Sequence, residues 1–227
     1  MTFDIVTLFP EMISAVLGTS ITGRAAAKGA VTITAHNFRA YTHDRHNRVD
    51  DTPYGGGKGM LLTVPPIYEC CDTVMKLREG RKIRRIYMSP QGKTFTQEDA
   101  KRLSGYDGLL LICGHYEGVD QRVIDLCADE EISIGDYVLT GGEIPACIVC
   151  DAVSRLVPGV LADEECFKSE TFEDGLFEYP QYTRPEEFMG LRIPEVLTTG
   201  HHAKITEWRR GEAEKKTERV RPDLMNR

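Results

Sequence analysis

Residues 132–145 read Ile-Ser-Ile-Gly-Asp-Tyr-Val-Leu-Thr-Gly-Gly-Glu-Ile-Pro. A short β-branched run is followed by a mostly apolar loop, and an apolar helical pattern starts after the paired glycines. Gly135 at one end of the loop and Gly141 and Gly142 at the other let the backbone turn sharply and approach a ligand closely. Ligands of open α/β sheets bind at loops that leave the carboxyl ends of strands, so the segment predicts a binding loop. A tight crossover inside the core is the alternative, and this segment alone does not separate the two.

Strand and helix patterns alternate through the residues that precede this segment. Residues 109–113 form a continuous apolar run of the kind found in central strands of parallel sheets. Thr96 and Asp99 make a capping box for one predicted helix. The predicted strands are 3–8, 31–36, 83–88, 109–113 and 132–134, and the predicted helices start at 11 and cover 65–78, 96–103 and 120–128. The alternation predicts an α/β domain in which helices flank a parallel sheet.

Three glycine-marked loops, 89–92, 114–118 and 135–142, each follow an apolar strand. Parallel strands bring their carboxyl ends to one edge of a sheet, so we expect these loops to meet at a single pocket. The glycine-rich segment 54–59 is different, because Lys58 is not followed by Ser or Thr and no strand precedes it, as a P-loop requires. We interpret it as a substrate-contacting loop, with a merely solvated loop as the alternative.

Composition places the chain among ordinary globular proteins. It has 227 residues, of which 41% are hydrophobic, and no apolar run approaches the roughly 20 residues that span a bilayer. The N-terminus lacks the pattern of a signal peptide, and seven cysteines at irregular spacing indicate reduced thiols and a cytoplasmic location. The net charge of −7 argues against indiscriminate nucleic-acid binding, and we expect neither a DNA nor a membrane partner.

Two short motifs raise the question of a metal. Cys147 and Cys150 lie inside an apolar run without a second pair at zinc spacing, which favours buried packing over metal binding. His201 and His202 have no third ligand nearby in the sequence. We therefore predict no structural metal.

The chain changes character after residue 160. Residues 162–175 are acidic and aperiodic, which is typical of a linker between domains. Helical signals then return at 185–189, 194–198 and 201–219. We predict a domain of residues 1–160, a flexible linker of residues 161–180, and a small helical domain of residues 181–227.

Seven ordered motifs together resemble one family of enzymes. They are residues 3–10, 50–57, 87–92, 113–118, 133–145, 155–159 and 182–185. In this order the motifs are similar to those of the bacterial tRNA (guanine-N1) methyltransferases, which methylate guanosine 37 beside the anticodon. The resemblance covers nearly the whole chain.

The resemblance implies a fold that the strand pattern does not predict. The family has the SPOUT fold, in which the loops that bind S-adenosylmethionine form a trefoil knot, although general topology rules argue against knots. It also implies an obligate homodimer with shared sites, a tRNA substrate contacted by 54–59 and the C-terminal domain, and a requirement for Mg²⁺. The donor site implied by the resemblance comprises Met88, Ser89, Pro90, Gly114, Glu117, Ile134, Gly135, Asp136, Tyr137, Val138, Leu139 and Gly141.

The catalytic residues implied by the resemblance are a carboxylate and an arginine. Guanine N1 carries a proton that a general base must remove as N1 attacks the methyl group, and an arginine can stabilise the negative charge that spreads onto guanine O6. The family's aspartate corresponds here to Glu170, preceded by Ser169 in place of an acid, and Asp174 is the rival base. Arg155 corresponds to the arginine, with capping of the preceding helix as its structural alternative.

Two other functions are consistent with parts of the pattern. The first is a SPOUT methyltransferase that acts on a ribose hydroxyl, against which residues 182–185 and the helical C-terminal domain argue. The second is a non-catalytic RNA-binding module, which is suggested by the change from aspartate to Glu170.

Overall fold

The computed structural model describes residues 1–161, 171–172 and 175–225. The chain divides into two compact units, residues 1–162 and 163–227. Glu170 and Asp174, the two candidate bases, lie outside the described residues. Within the described part of the chain, no helix is both long and apolar enough to cross a membrane.

The first unit is built on strands that alternate with helices. Its elements, in chain order, are β1 (Thr2–Thr7), α1 (Pro10–Leu17), α2 (Ser20–Ala27), β2 (Thr32–Asn37), β3 (Asp50–Asp51), β4 (Leu61–Leu62), α3 (Val64–Leu77), β5 (Ile83–Thr94), α4 (Gln97–Ser104), β6 (Gly108–Cys113), α5 (Gln121–Cys127), β7 (Glu130–Ser133) and α6 (Glu143–Ser154). Five strands form one sheet in the order β2-β1-β6-β5-β7, and every pairing in it is parallel. The predicted α/β fold with a parallel sheet is therefore confirmed.

Apolar side chains on both faces of the sheet explain why helices cover each of them. All residues of β1 and β6 are buried, as expected for strands in the centre of a parallel sheet. On one face Phe3 and Leu111 pack in a cluster with side chains of α1, α4 and α6. On the other face Val6 and Ile112 pack with side chains of α3 and α5.

A buried ion pair joins β1 to β2 and α3. The Asp4 carboxylate is 2.8 Å from His36 Nε2 and accepts hydrogen bonds from Arg78 Nε and Nη2 at 2.9 and 3.0 Å. Burial alone would raise the pKa of Asp4, but the hydrogen bonds from His36 and Arg78 outweigh it and lower that pKa below its ordinary value. Asp4 is thus held ionised in the core.

The predicted turn at residues 89–92 is wrong, because these residues continue β5 to Thr94. Met88 and Lys93 both pair with Ile132, so the register against β7 shifts across Pro90. Proline cannot donate to a ladder and is found in sheets at edges and bulges. The residues between the two pairings therefore bulge out of the ladder, and the strand resumes after them.

Helix α2 was not predicted, because its small and polar residues carry little apolar periodicity. The capping box at the start of α4 is confirmed: Thr96 accepts a hydrogen bond from the Asp99 backbone, and the Asp99 carboxylate accepts one from the Thr96 backbone. Helix α5 begins after the N-cap Asp120, as predicted.

The second unit contains a hairpin and a long helix. Its regular elements are β8 (Glu187–Phe188), β9 (Leu191–Arg192) and α7 (His202–Val220), with a 3₁₀ helix at Glu195–Thr198. The predicted helix at 185–189 is wrong, because Met189 and Gly190 adopt positive φ angles and turn the chain into a hairpin. The helix predicted at 201–219 is confirmed as α7.

Within the second unit, residues 171–172 and 175–178 pack against each other and against α7. The Phe177 backbone donates a hydrogen bond of 2.8 Å to Thr217 Oγ1 in the buried part of α7. The Phe172 and Phe177 rings meet edge to face with centroids 5.7 Å apart, and the Glu178 backbone donates to Thr171 Oγ1. The chain that immediately follows residue 170 is thereby tied to α7.

Candidate functional site

A cavity of about 280 Å³ opens at the carboxyl edge of the sheet, next to the bulge of β5 and the ends of β6 and β7. Residues of all three glycine-marked segments line it, so their predicted convergence is confirmed, although residues 89–92 belong to β5 and do not form a loop. The lining residues are Tyr87–Gln91, Gly114–Val119, Gln121, Ile124, Glu131–Gly135, Tyr137–Gly142 and Pro145. A concave site with apolar walls and a few polar groups is the usual form of a small-molecule pocket.

The structure brings together eleven of the twelve residues predicted for the donor site; Asp136 alone is not part of the cavity wall. That these residues bind a donor stays a prediction. Gln91, His115 and Tyr116 also line the cavity, as expected from the predicted convergence of their loops, whereas Tyr87 was not predicted. Tyr116 adopts a positive φ of 59°, which is uncommon for an aromatic residue.

The loop after β7 is compact. Gly135 has a φ of 144°, and a Cβ placed there would lie 2.6 Å from Cε1 of the Tyr137 ring. The Tyr137 backbone donates a hydrogen bond to Gly135 O at 2.9 Å, and its hydroxyl donates to Ile134 O at 3.3 Å. The glycine thus lets the Tyr137 ring lie flat on the loop. Tyr137, Val138 and Leu139 are all exposed apolar residues at the mouth of the cavity.

Close packing also fixes the loop after β6. A Cβ at Gly114 would lie 2.6 Å from the Tyr87 hydroxyl, so only glycine fits between the loop and this side chain. Burial, and secondarily the Glu131 carboxylate, raises the pKa of Tyr87 to about 12. The Tyr87 hydroxyl is therefore neutral at pH 7 and can both donate and accept a hydrogen bond.

Beneath the cavity lies a buried polar group formed by β1, α6 and the loop after β6. Thr7 Oγ1 donates a hydrogen bond of 2.7 Å to Glu143 Oε1, and both residues are buried. Glu143 Oε2 lies 3.9 Å from His115 Nδ1. The sequence gives no signal for this arrangement, because an acid in the first turn of a helix is ordinarily a solvated partner of the helix dipole.

The glycine-rich segment 54–59 reaches the same cavity through Glu117. A Cβ at Gly59 would lie 2.3 Å from Cγ of Glu117, and the Glu117 backbone donates a hydrogen bond to Met60 O. Tyr54 at the start of the segment is fully exposed. The segment is therefore next to a wall of the cavity and open to a large ligand.

Arg155 lies at the C-cap of α6, where its backbone donates to Asp151 O at 3.2 Å. This position agrees with the structural alternative of a helix cap. Arg155 is not among the residues that line the cavity. Its catalytic role, like those of Glu170 and Asp174, stays a prediction.

Within the described residues there is no group of three or more His, Cys, Asp or Glu side chains arranged to hold a metal. Cys147 and Cys150 are buried in the packing of α6. Burial, followed by the Glu143 carboxylate, raises the pKa of Cys147 to about 11, so its thiol is protonated and weakly reactive at neutral pH.

Comparison with known proteins gives one consistent result. The family model described as "tRNA (Guanine-1)-methyltransferase TrmD" matches residues 1–227. A relative from Ruminiclostridium cellulolyticum is 52% identical over 227 residues, which are 100% of this chain and 97% of the relative. Relatives from Lachnospira eligens (51% over 224 residues, 99% and 94% of the two chains) and Clostridioides difficile (48% over 227 residues, 100% and 98%) are similar over their lengths. All three bear the name tRNA (guanine-N(1)-)-methyltransferase.

Proposed function

The chain belongs to the tRNA (guanine-1)-methyltransferase family, and from this we propose that it transfers a methyl group from S-adenosylmethionine to N1 of guanosine 37 in tRNA. Methylation of guanine N1 in tRNA is the activity of the family. The donor and the position of the guanosine are the proposal. The observation that supports it most is the cavity formed by the bulge of β5 and the loops that follow β6 and β7.

The residues of the cavity fit a donor that carries both an apolar purine and polar groups. A side chain at Gly114 would collide with the Tyr87 hydroxyl and one at Gly135 with the Tyr137 ring, so glycine lets both tyrosines lie directly against these loops. Tyr137, Val138 and Leu139 supply an apolar surface, and the neutral Tyr87 hydroxyl supplies a donor and an acceptor. Bound S-adenosylmethionine supplies a methyl group on a sulfonium sulfur, and this sulfur leaves readily as a neutral thioether when the methyl group is transferred.

Glu170 is proposed as the general base that takes the proton from guanine N1. The residues that follow it in the chain, Thr171 and Phe172, pack against residues 176–178. A positioned base contributes roughly 10²–10⁴-fold to the rate. Asp174, which follows Phe172 closely, is the alternative base.

Arg155 is proposed to stabilise the negative charge that develops on guanine O6. The role rests on the resemblance to the family, because the 12 residues of α6 place its C-cap about 18 Å from the end of the helix that begins at the cavity wall. Mg²⁺ is proposed as a further requirement; it commonly uses one or two carboxylates together with substrate oxygens.

The second unit and the segment 54–59 are proposed to contact tRNA, with residues 1–160 as the donor-binding domain, 161–180 as the linker and 181–227 as the RNA-binding domain. Arg209 stacks over the Tyr179 ring at 4.7 Å, and Arg210 pairs with Glu214 at 2.9 Å, both on the surface of α7. These arginines are candidates for phosphate contacts.

We further propose that the loops of the cavity form the trefoil knot of the SPOUT fold. Gly142 N donates a hydrogen bond of 2.9 Å to Gly114 O, and His115 forms an isolated antiparallel bridge with Gly141. The chain that enters α6 thus returns to the loop that follows β6. Direct backbone contact between these two loops is what a knot at this position requires.

A homodimer is proposed from an apolar surface on α1 and α6, which pack against each other. Met12 and Val16 of α1 and Ile144 and Ile148 of α6 are exposed. A patch of this kind on an otherwise polar protein marks an interaction surface. A second copy would cover it and place the two cavities near one interface.

Transfer of a labelled methyl group from S-adenosylmethionine to a tRNA transcript, followed by nucleoside analysis, tests the reaction. We expect 1-methylguanosine in the transcript and none when guanosine 37 is replaced by adenosine. Methyl label on a ribose would instead support the alternative SPOUT activity, and absence of label with intact tRNA binding would support a non-catalytic RNA-binding module.

The base is tested by single-turnover kinetics. We expect Glu170→Gln to slow methyl transfer roughly 10²–10⁴-fold with donor and tRNA affinities unchanged, and Glu170→Asp to retain substantial activity. The matched control is Asp174→Asn, for which we expect a much smaller loss. The reverse order of the two losses would assign the proton to Asp174.

A further inference from the structure

Glu143 is a buried carboxylate with little to stabilise its charge. It is the first residue of α6, it is 2% exposed, and its Oε1 accepts one side-chain hydrogen bond, from Thr7. A buried carboxylate is costly unless further donors reach it. The amino end of α6 offsets part of this cost through the helix dipole. The remaining oxygen, Oε2, faces His115.

The second member of the pair, His115, has a buried nitrogen that faces this carboxylate. Its Nδ1 is buried and has no hydrogen-bond partner among the described residues, and it lies 3.9 Å from Glu143 Oε2. The ring is held between Phe9 and Tyr116, with centroids 4.9 Å from each. A lone pair on Nδ1 would face the carboxylate unfavourably, whereas an N–H there is attracted to it. The geometry therefore favours the tautomer with the proton on Nδ1.

Gly141 connects this pair to the cavity. A Cβ at Gly141 would lie 2.4 Å from Glu143 Oε2 and 2.6 Å from His115 Nδ1, so the loop backbone rests directly on both groups. The bridge between His115 and Gly141 and the hydrogen bond from Gly142 N to Gly114 O hold the two loops together at this point. Any shift of the His115 ring moves both loops.

We propose that Glu143 and His115 are positioning residues for the methyl donor. Glu143 fixes the Nδ1–H tautomer and the orientation of His115, and His115 fixes the loop 114–118 against Gly141. When the donor fills the cavity, the gap of 3.9 Å closes to a hydrogen bond from Nδ1–H to Oε2. Thr7 holds the carboxylate in place from β1. This inference rests on the proposed function, because it assigns the donor to this cavity.

The tautomer is measured by nitrogen NMR on wild-type protein labelled at histidine, with the His115 signal identified by its loss in His115→Asn. At a pH at which the ring is neutral, we expect a protonated Nδ1 and an unprotonated Nε2. In Glu143→Gln this preference is lost, because an amide can present either its oxygen or its NH₂ group to the ring. A wild-type His115 with the proton on Nε2 would overturn the proposal.

Donor affinity is measured by calorimetry with S-adenosylmethionine. His115→Asn places an amide nitrogen near the position of Nδ1, whereas His115→Gln places it near Nε2. We expect His115→Gln to weaken the donor Kd about tenfold or more, the size of one hydrogen bond to a charged group, and His115→Asn to stay within about threefold of wild type. The double variant Glu143→Gln/His115→Gln should bind the donor with the affinity of whichever single variant binds it less tightly, because both changes break the same interaction.

The control is a second His–Glu pair outside the cavity. His43 Nε2 lies 3.0 Å from Glu69 Oε2 in an exposed pair, and His43→Gln should leave the donor Kd unchanged. A wild-type protein that binds no S-adenosylmethionine would count against the proposed function, while its histidine tautomer would still test the pair. Wild-type binding together with equal affinity in His115→Gln would refute the positioning role alone.

Discussion

Replacing Gly135 by alanine should weaken the binding of the methyl donor far more than it destabilises the protein. The backbone at Gly135 has a φ of 144°, and the new Cβ would lie 2.6 Å from the Tyr137 ring. An L-residue held at such a φ costs about 1–3 kcal/mol. Displacement of the ring also breaks the hydrogen bond from the Tyr137 hydroxyl to Ile134 O, which is worth about 1 kcal/mol.

These costs fall on binding because the loop can relax in the free protein. The Tyr137 ring is 54% exposed, so the loop can adopt another conformation when the cavity is empty, and the global free energy of unfolding changes little. The donor requires the original conformation, and the whole cost of about 2–4 kcal/mol then appears as a Kd weakened roughly 30- to 1,000-fold. Gly135→Val should be at least as damaging, since its branched side chain would collide more extensively with the Tyr137 ring.

Calorimetry with S-adenosylmethionine and thermal unfolding of the same samples measure the two effects. The matched control is Gly80→Ala, because Gly80 has a φ of 79° with no atom within 4 Å of the added Cβ and lies outside the cavity. We expect this control to lose some stability and no donor affinity. Unchanged donor affinity in folded Gly135→Ala would show that the loop does not wrap the donor.

Three further outcomes are expected. Asp4→Asn should lower the free energy of unfolding at pH 7 by about 3–5 kcal/mol, since it leaves Arg78 partly buried beside a neutral amide. The pKa of Asp4 is lowered in the folded protein, so the loss measured by urea unfolding should be complete above pH ~4. The difference between variant and wild type should shrink as the pH falls through the folded pKa. Replacing Arg209 and Arg210 by alanine should weaken tRNA binding and reduce the slope of log K against log salt by about 1 for each phosphate that the protein no longer neutralises, whereas an unchanged slope would leave them as solvated side chains. Ile148→Glu should convert the proposed dimer to an inactive monomer in analytical ultracentrifugation, and a monomer with full activity would rule out shared sites.

The strands of the sheet could be predicted because burial on both faces leaves an unmistakable apolar run, as at 109–113. The hairpin at 187–192 could not be predicted from such a pattern, because its turn depends on positive φ at Met189 as well as at Gly190. Pro185 resembled the first residue of a helix and favoured the wrong element. In β5 the proline at position 90 indicated a turn, while pairing with β7 on either side of it kept the chain in the sheet.

The candidate site could be predicted as far as glycine marks it. Gly114, Gly135 and Gly141 each lie where a side chain would collide with another part of the site. In the sequence, Gly114 and Gly135 are visible as glycines after apolar strands, and Gly141 as the first of the paired glycines before an apolar helix. The pair formed by His115 and Glu143 is different, because it depends on how far α6 carries Glu143 into the interior. Burial of that kind is a property of the packed fold and leaves no local signal.

In the proposed reaction, the two tasks fall to different units of the chain. The cavity of the first unit consists largely of backbone, apolar side chains and a neutral tyrosine, which suits it to hold and orient a donor. The proposed base belongs to the sequence of the second unit, and the residues after it are tied to α7 through Thr171, Phe177 and Thr217. Because tRNA is proposed to contact α7, the same unit would deliver both the guanosine and the base, and proton removal would begin only when the RNA is in place. Donor binding without RNA would then leave the methyl group unreactive, which protects it from loss to water.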